Sequence, residues 1–150
     1  MKKFKSILYV TEKNGDQNSA LERAVTFAEN SQANLTIIDV IPAMMGEYQE
    51  DFMIDRRQFL ESLTDPYKKR LEIKTILEMG TVFIEVIREV LRNGHDLVIK
   101  PAENPDFLKR LFGSTDIHLL RKCPCPVWIM KLPEKTNYSC IMAAVGFHPL

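Results

Sequence analysis

Gly113-Ser114-Thr115-Asp116 stands directly before Ile117-His118-Leu119-Leu120-Arg121-Lys122, an order of residue types suited to a helix start that receives an anion. Ser, Thr and Asp side chains satisfy the first free N–H groups of a helix, and the remaining N–H groups together with the helix dipole attract phosphate or sulfate. The same residues also serve as a plain N-cap without any ligand, which is their commoner use. Cys123-Pro124-Cys125-Pro126 then stops the helix and leads into the apolar run Val127-Trp128-Ile129-Met130.

The remaining candidates for chemistry are sparse. Cys123 and Cys125, with His118 five residues before the first of them, form a partial metal-ligand pattern. Structural zinc sites pair cysteines two to four residues apart with a second ligand pair elsewhere, and only the isolated Cys140 is left to contribute. Buried structural thiols at a helix-to-strand turn are the favoured reading, and no metal is expected. His95 next to Asp96 is an acid and a base in sequence, but neighbours on a strand point to opposite faces and make no dyad by themselves. His148 sits in no pattern. Met44, Met45 and Met53 with Phe52 suit an adaptable apolar lining or, more simply, core packing beneath a crossover. No nucleophile elbow, intact P-loop, metal-binding helix or dinucleotide glycine fingerprint is present, which argues against an enzyme.

The elements that must position these residues follow from periodicity. Ser6 to Thr11 reads as a buried strand, and the capping-box pair Ser19 and Glu22 opens a helix with Leu21, Ala24, Val25 and Ala28 on one face. Leu35 to Ile41 is a second strand stopped by Pro42, and Glu47 to about Leu63 a loosely amphipathic helix carrying Phe52, Leu60 and Leu63. Leu71 to Leu77 is a third strand, with Ile73, Thr75 and Leu77 on one face. Thr81 caps the next helix, Phe83, Ile84, Ile87 and Leu91 form its apolar stripe, and Asn93-Gly94 provides a left-handed stop. Asp96 to Ile99 and Val127 to Met130 complete a set of five strands alternating with helices. Such alternation implies a right-handed, doubly wound parallel sheet, with ligands at the carboxyl ends of the strands where the winding reverses.

The run from His95-Asp96-Leu97-Val98-Ile99-Lys100 through Gly113-Ser114-Thr115 to Cys125-Pro126-Val127 resembles the universal stress protein family, with a looser likeness back to residue 4. The resemblance implies a Rossmann-like sandwich of the adenine nucleotide alpha hydrolase type with a five-stranded parallel sheet. In nucleotide-binding members the loop after the fourth strand carries a glycine, two residues, a second glycine, nine residues, then glycine with Ser or Thr. Here the two earlier positions hold Lys100 and Glu103. Glycine permits close backbone approach to phosphate, whereas Pro101 and Pro105 fix φ and remove donors, and Glu103 adds about 1 to 4 kcal/mol of repulsion toward an anion about 4 Å away. Glu12 stands where the family often has an adenine-contacting Asp, and a solvated carboxylate is expected there. Glu12, Gly113, Ser114 and Thr115 are thus the candidate cofactor-binding residues, as a vestigial site. No cofactor is expected, with ATP or another nucleotide as the alternative.

Size and charge narrow the class further. The chain of 150 residues suits one domain burying roughly 70% of its unfolded surface. Twenty basic and 20 acidic residues cancel, so no broad field attracts nucleic acid or an anionic membrane. The absence of a long apolar run and the odd count of three cysteines fit a cytoplasmic protein with reduced thiols. Residues 1–132 are expected to form the domain, 133–138 a linker, and 139–150 a terminal strand; Ser139 to Gly146 resembles Ser6 to Thr11 and suits the start of a second copy, as in the tandem subclass of the family, or an extra strand of the same sheet. Val127 to Met130 is expected at the sheet edge, where family domains pair, with Trp128 as an anchor. The function expected is a non-catalytic stress-response binding or scaffold module that self-associates or pairs with a second such domain; the alternative is an ATP-binding stress protein with an altered phosphate loop.

Overall fold

In the computed structural model, residues 4–13, 17–43, 46, 48–103, 114–131 and 141–145 are described, with the backbone alone for 131 and 141–145. Gly113, Met44, Met45, Cys140 and His148 lie outside them. The strands are β1 (Ser6–Val10), β2 (Asn34–Ile41), β3 (Ile73–Met79), β4 (Leu97–Pro101), β5 (Val127–Lys131) and β6 (Ile141–Val145). They form one sheet in the order β3-β2-β1-β4-β5-β6. The first five are mutually parallel, as the alternation of strands and helices predicts. The winding reverses between β1 and β4, which places the switch point there.

Both sides of the central strands are apolar because helices cover both. Ile7, Tyr9, Leu35, Ile37 and Ile99 face α1 (Gln17–Ser31) and α2 (Gln49–Thr64). Leu8, Val10, Ile38, Val98 and Ile129 face α3 (Val82–Asn93) and α4 (Ser114–Lys122). The buried stripe of α1 is Ala20, Leu21, Ala24, Val25 and Ala28, whose small members allow the helix to lie close to the sheet. Asp96 fastens the start of β4 to that of β1: its carboxylate accepts the backbone N–H groups of Lys5 at 2.9 Å and Ser6 at 3.0 Å.

Several sequence expectations are corrected. Ser19 and Glu22 lie within α1, which already runs from Gln17, and so do not cap it. The apolar face of α3 is Val82, Phe83, Val86, Ile87 and Val90, with Ile84 and Leu91 exposed, because the helix turns its Val86 and Val90 side to the sheet. Thr81 occupies the N-cap in extended backbone but makes no side-chain cap bond. On α2 it is Phe59 that packs against the core, alongside Leu60 and Leu63, and Phe52 does not. The largest correction concerns the sheet edge. Residues 141–145 pair antiparallel with β5, Trp128 opposite Ala144 and Met130 opposite Met142, so β5 is not the edge. Trp128 itself is half-buried, edge-on to Phe27 of α1 at 5.4 Å between ring centres.

The left-handed stop of α3 is as expected: Gly94 has φ 70° and ψ 36°, and its N–H donates to Val90 O. Nothing lies within 4 Å of a Cβ built there, so backbone conformation alone decides a substitution. Gly94→Ala should therefore lower unfolding free energy by about 1 kcal/mol through the left-handed penalty; urea denaturation measures this, and an unchanged midpoint would contradict it.

Candidate functional site at the strand carboxyl ends

Lys100 is the penultimate residue of β4 and has no solvent exposure at all. Its ammonium lies at the switch point and reaches three oxygens. Nζ donates to Glu12 Oε2 at 2.9 Å and to Pro101 O at 3.0 Å, and it stands 2.7 Å from Asp116 Oδ1. The contact with Asp116 is an ion pair by distance, without the alignment of a hydrogen bond. Glu12 follows β1 and Asp116 lies in the first turn of α4, so one buried cation joins three segments across the reversal of winding. Burying an ammonium is costly unless anions surround it, and here two carboxylates and a carbonyl do so.

Glu103 completes the cluster from the loop after β4. Its backbone N–H donates to Asp116 Oδ2 at 2.8 Å, and its carboxylate accepts the backbone N–H of Thr115 at 2.9 Å. Loop and helix start are therefore stapled reciprocally, and a free N–H of the α4 amino terminus is taken by the protein's own carboxylate. Ser114 is exposed at the first position of α4.

Beside this cluster, Asp39 at the end of β2 is buried, accepting from Arg56 Nε at 2.7 Å and Nη2 at 2.8 Å and from Thr11 Oγ1 at 2.6 Å. The guanidinium also lies over Phe59, 4.2 Å from the ring centre. Gln17 links α1 to the same end of the sheet, accepting from Tyr9 Oη at 2.7 Å and donating to Glu12 O.

Of the candidates read from the sequence, Glu12 and Thr115 come together through Lys100, Asp116 and Glu103. Glu12 is not simply solvated: its side chain is 13% exposed and ion-paired. Asp116 and Asp39 were missed. Asp116 offered a signal, since a first-turn Asp is a capping residue, but its pairing with a residue sixteen positions earlier has no periodic trace. His118 stays away from the cysteines and stacks on Phe83 at 4.4 Å between ring centres. Cys123 and Cys125 are buried with Sγ atoms 3.8 Å apart, and their hydrogen bond holds the Cys123 thiol below its ordinary pKa against the opposing effect of burial. Among the described residues no group of three or more His, Cys, Asp or Glu could hold a metal ion, and no helix is long and apolar enough to cross a membrane.

Fold and crevice together define a doubly wound, Rossmann-like α/β domain with its polar cluster at the topological switch point. Residues 3–131 match the model of the universal stress protein family, and the chain belongs to that family. It is 34% identical over 146 residues to universal stress protein E of Escherichia coli K12, covering 87% of this chain and 46% of the relative. The chain thus spans less than half the length of that relative. A putative universal stress protein from Pseudomonas aeruginosa UCBPP-PA14 superposes with a TM-score of 0.62 at 25% identity, over 86% of this chain and 44% of that one. A universal stress protein solved in complex with cAMP superposes with a TM-score of 0.66 at 18% identity, over 85% and 97%.

Removing the central cation isolates two carboxylates. Lys100→Met should cost about 3 to 5 kcal/mol in unfolding free energy. Combining it with Glu12→Gln and Asp116→Asn should recover most of that loss, because neutral groups no longer need the charge. Urea denaturation of the single and triple variants checks both statements, and a single-variant loss below about 1 kcal/mol would refute the role given to Lys100.

Proposed function

We propose that this domain is a non-catalytic stress-response binding or scaffold module, acting in the cytoplasm, whose nucleotide-phosphate position is filled by its own side chains. The observation that carries the reading is the Glu103 carboxylate on the Thr115 N–H, where an incoming phosphate would compete for the same donor. The cation at the switch point does not offset this, since Lys100 is enclosed by Glu12 and Asp116. Two carboxylates surround that ammonium and the Glu103 carboxylate stands on the start of α4, so a polyphosphate meets net negative charge from these groups. Glu12, Gly113, Ser114 and Thr115 are accordingly read as a vestigial site, in which Glu103 competes with a nucleotide phosphate for the Thr115 N–H.

Calorimetric titration with Mg-ATP tests this. No heat of binding is expected up to millimolar nucleotide, and micromolar affinity, or nucleotide retained through purification, would overturn the reading. The second reading is a nucleotide-binding stress protein in which Glu103 swings away and the altered loop closes on the ligand. It is favoured by the relative solved with cAMP, and cAMP belongs in the same titration.

The module's partner is a second domain of the same kind, in the same chain or another. Two observations support this: the relatives from Escherichia coli and Pseudomonas aeruginosa are about twice as long as this chain, and the sequence from Ser139 to Gly146, which includes β6, resembles that from Ser6 to Thr11. That strand, β6, pairs with β5 on one side, and no described strand pairs with its other side. An open strand edge recruits another. Sedimentation of the 150-residue chain should therefore show dimers at tens of micromolar, and truncation after 132 should change the dimerisation constant. A strict monomer with either chain length would refute the pairing.

A further inference from the structure

At the opposite end of the sheet, where β1 and β4 begin, a second polar chain is buried. His95, only 6% exposed, lies between two side chains: its Nδ1 is 2.9 Å from Ser6 Oγ and its Nε2 is 2.8 Å from Glu89 Oε2. Glu89 belongs to the buried side of α3, and the same Oε2 accepts from Asn93 Nδ2 at 2.7 Å, one turn further along the helix. An ionised carboxylate only accepts, which places a proton on Nε2, and in the neutral ring Nδ1 then turns its lone pair toward the Ser6 hydroxyl. A hydroxyl, a base within reach of it and an acid that orients the base are the three roles of an activated nucleophile.

Two further observations separate this arrangement from a simple structural tie. The strand starts are already fastened by Asp96, which takes the backbone N–H groups of Lys5 and Ser6, so the Ser6 hydroxyl is not needed for that purpose. And Ser6, His95, Glu89 and Asn93 all line one groove of about 640 Å³, which also includes Lys74 and Asn34. His95 is buried while Ser6 is half-buried and lines the groove, the order in which a substrate would meet them.

We propose that Ser6 is an acyl-accepting nucleophile, with His95 as its general base and Glu89 as the residue that positions the base. Ser6 Oγ forms a bond to the carbonyl carbon of an activated ester or thioester, and its proton passes to His95 Nδ1. The bond from that carbon to the leaving oxygen or sulfur breaks, and the leaving group departs with the proton from Nδ1. Serine and acyl donor thus become an O-acylserine and a free alcohol or thiol, with His95 neutral again. The backbone N–H groups of Lys5 and Ser6 are committed to Asp96, so they offer no oxyanion hole. Lys74, Asn34, Thr36 and Thr75 are among the side-chain donors on the groove wall. Weak oxyanion stabilisation restricts the site to donors with good leaving groups, and to stoichiometric capture in place of rapid turnover.

Incubating the chain with p-nitrophenyl acetate, followed by peptide mass mapping, tests the assignment. One acetyl group is expected on Ser6, formed at least about tenfold faster in the native chain than in the same chain unfolded in urea, and absent from Ser6→Ala. Glu89→Gln should slow it by about tenfold or more, since an unoriented base loses most of general-base catalysis. Circular dichroism establishes that each variant is folded. Acetylation confined to lysines in the native chain, equal rates in native and unfolded chain, or a folded Glu89→Gln that labels Ser6 at the original rate would each overturn the proposal. The native-to-unfolded comparison needs no variant and decides the matter even where Glu89→Gln does not fold.

Discussion

The enclosed ammonium of Lys100 sets the terms for the whole upper end of this domain. A charge with no access to solvent persists only where opposite charge and acceptors replace the lost hydration. Glu12 after β1, Asp116 in α4 and the Pro101 carbonyl do so here, and each comes from a different segment. The cluster therefore fixes where the chain leaves β1, where it leaves β4 and where α4 begins. Glu103 extends the same constraint to the loop after β4, because its backbone bonds to Asp116 and its side chain to Thr115. Crevices at this position in doubly wound sheets are open because the strands diverge from it in opposite directions. In this chain ionic contacts bridge that divergence.

What was legible in the sequence follows from the range of the interactions involved. Strands β1, β2 and β4 are short apolar runs between turn residues, and α1 and α4 have clear helical spacing, so order and type of element could be read directly. The stripe on α3 was misplaced because the helix is apolar on more than one side: Ile84 and Leu91 satisfy helical spacing as well as Val86 and Val90 do, and only the sheet decides between them. Glu89 in the buried set also disguised that face, since a carboxylate there makes sense only once His95 is known to meet it. Pairing of 141–145 with β5 is a contact between segments that are not adjacent in sequence, and no local pattern separates it from the start of another unit.

The site was legible by residue type but not by partner. Lys100 and Glu103 stood out because glycine was expected at their positions, and their charges were read as if exposed to an incoming anion. Both charges turn out to be engaged within the fold. Lys100 is already neutralised, and Glu103 acts on the helix start as an anion would. Glu12 and Asp116 lie 88 and 16 positions from the lysine, so neither pairing leaves a periodic signature.

This coupling also bears on how such a crevice gains or loses a ligand. Each member is tolerable only with the others present: without Lys100, Glu12 and Asp116 face each other uncompensated, and without Glu103 the Thr115 N–H loses its acceptor. Changes within one hydrogen-bonded ionic unit are strongly non-additive. A glycine placed at 100 or at 103 alone would lose these internal bonds, so either single change should give a less stable chain. The sheet itself stands outside this constraint, because Ile7, Leu8, Ile37, Ile38, Val98 and Ile99 bury both faces of its centre without help from the crevice. A domain whose core is independent of its binding crevice can exchange an external anion for an internal one and keep its fold.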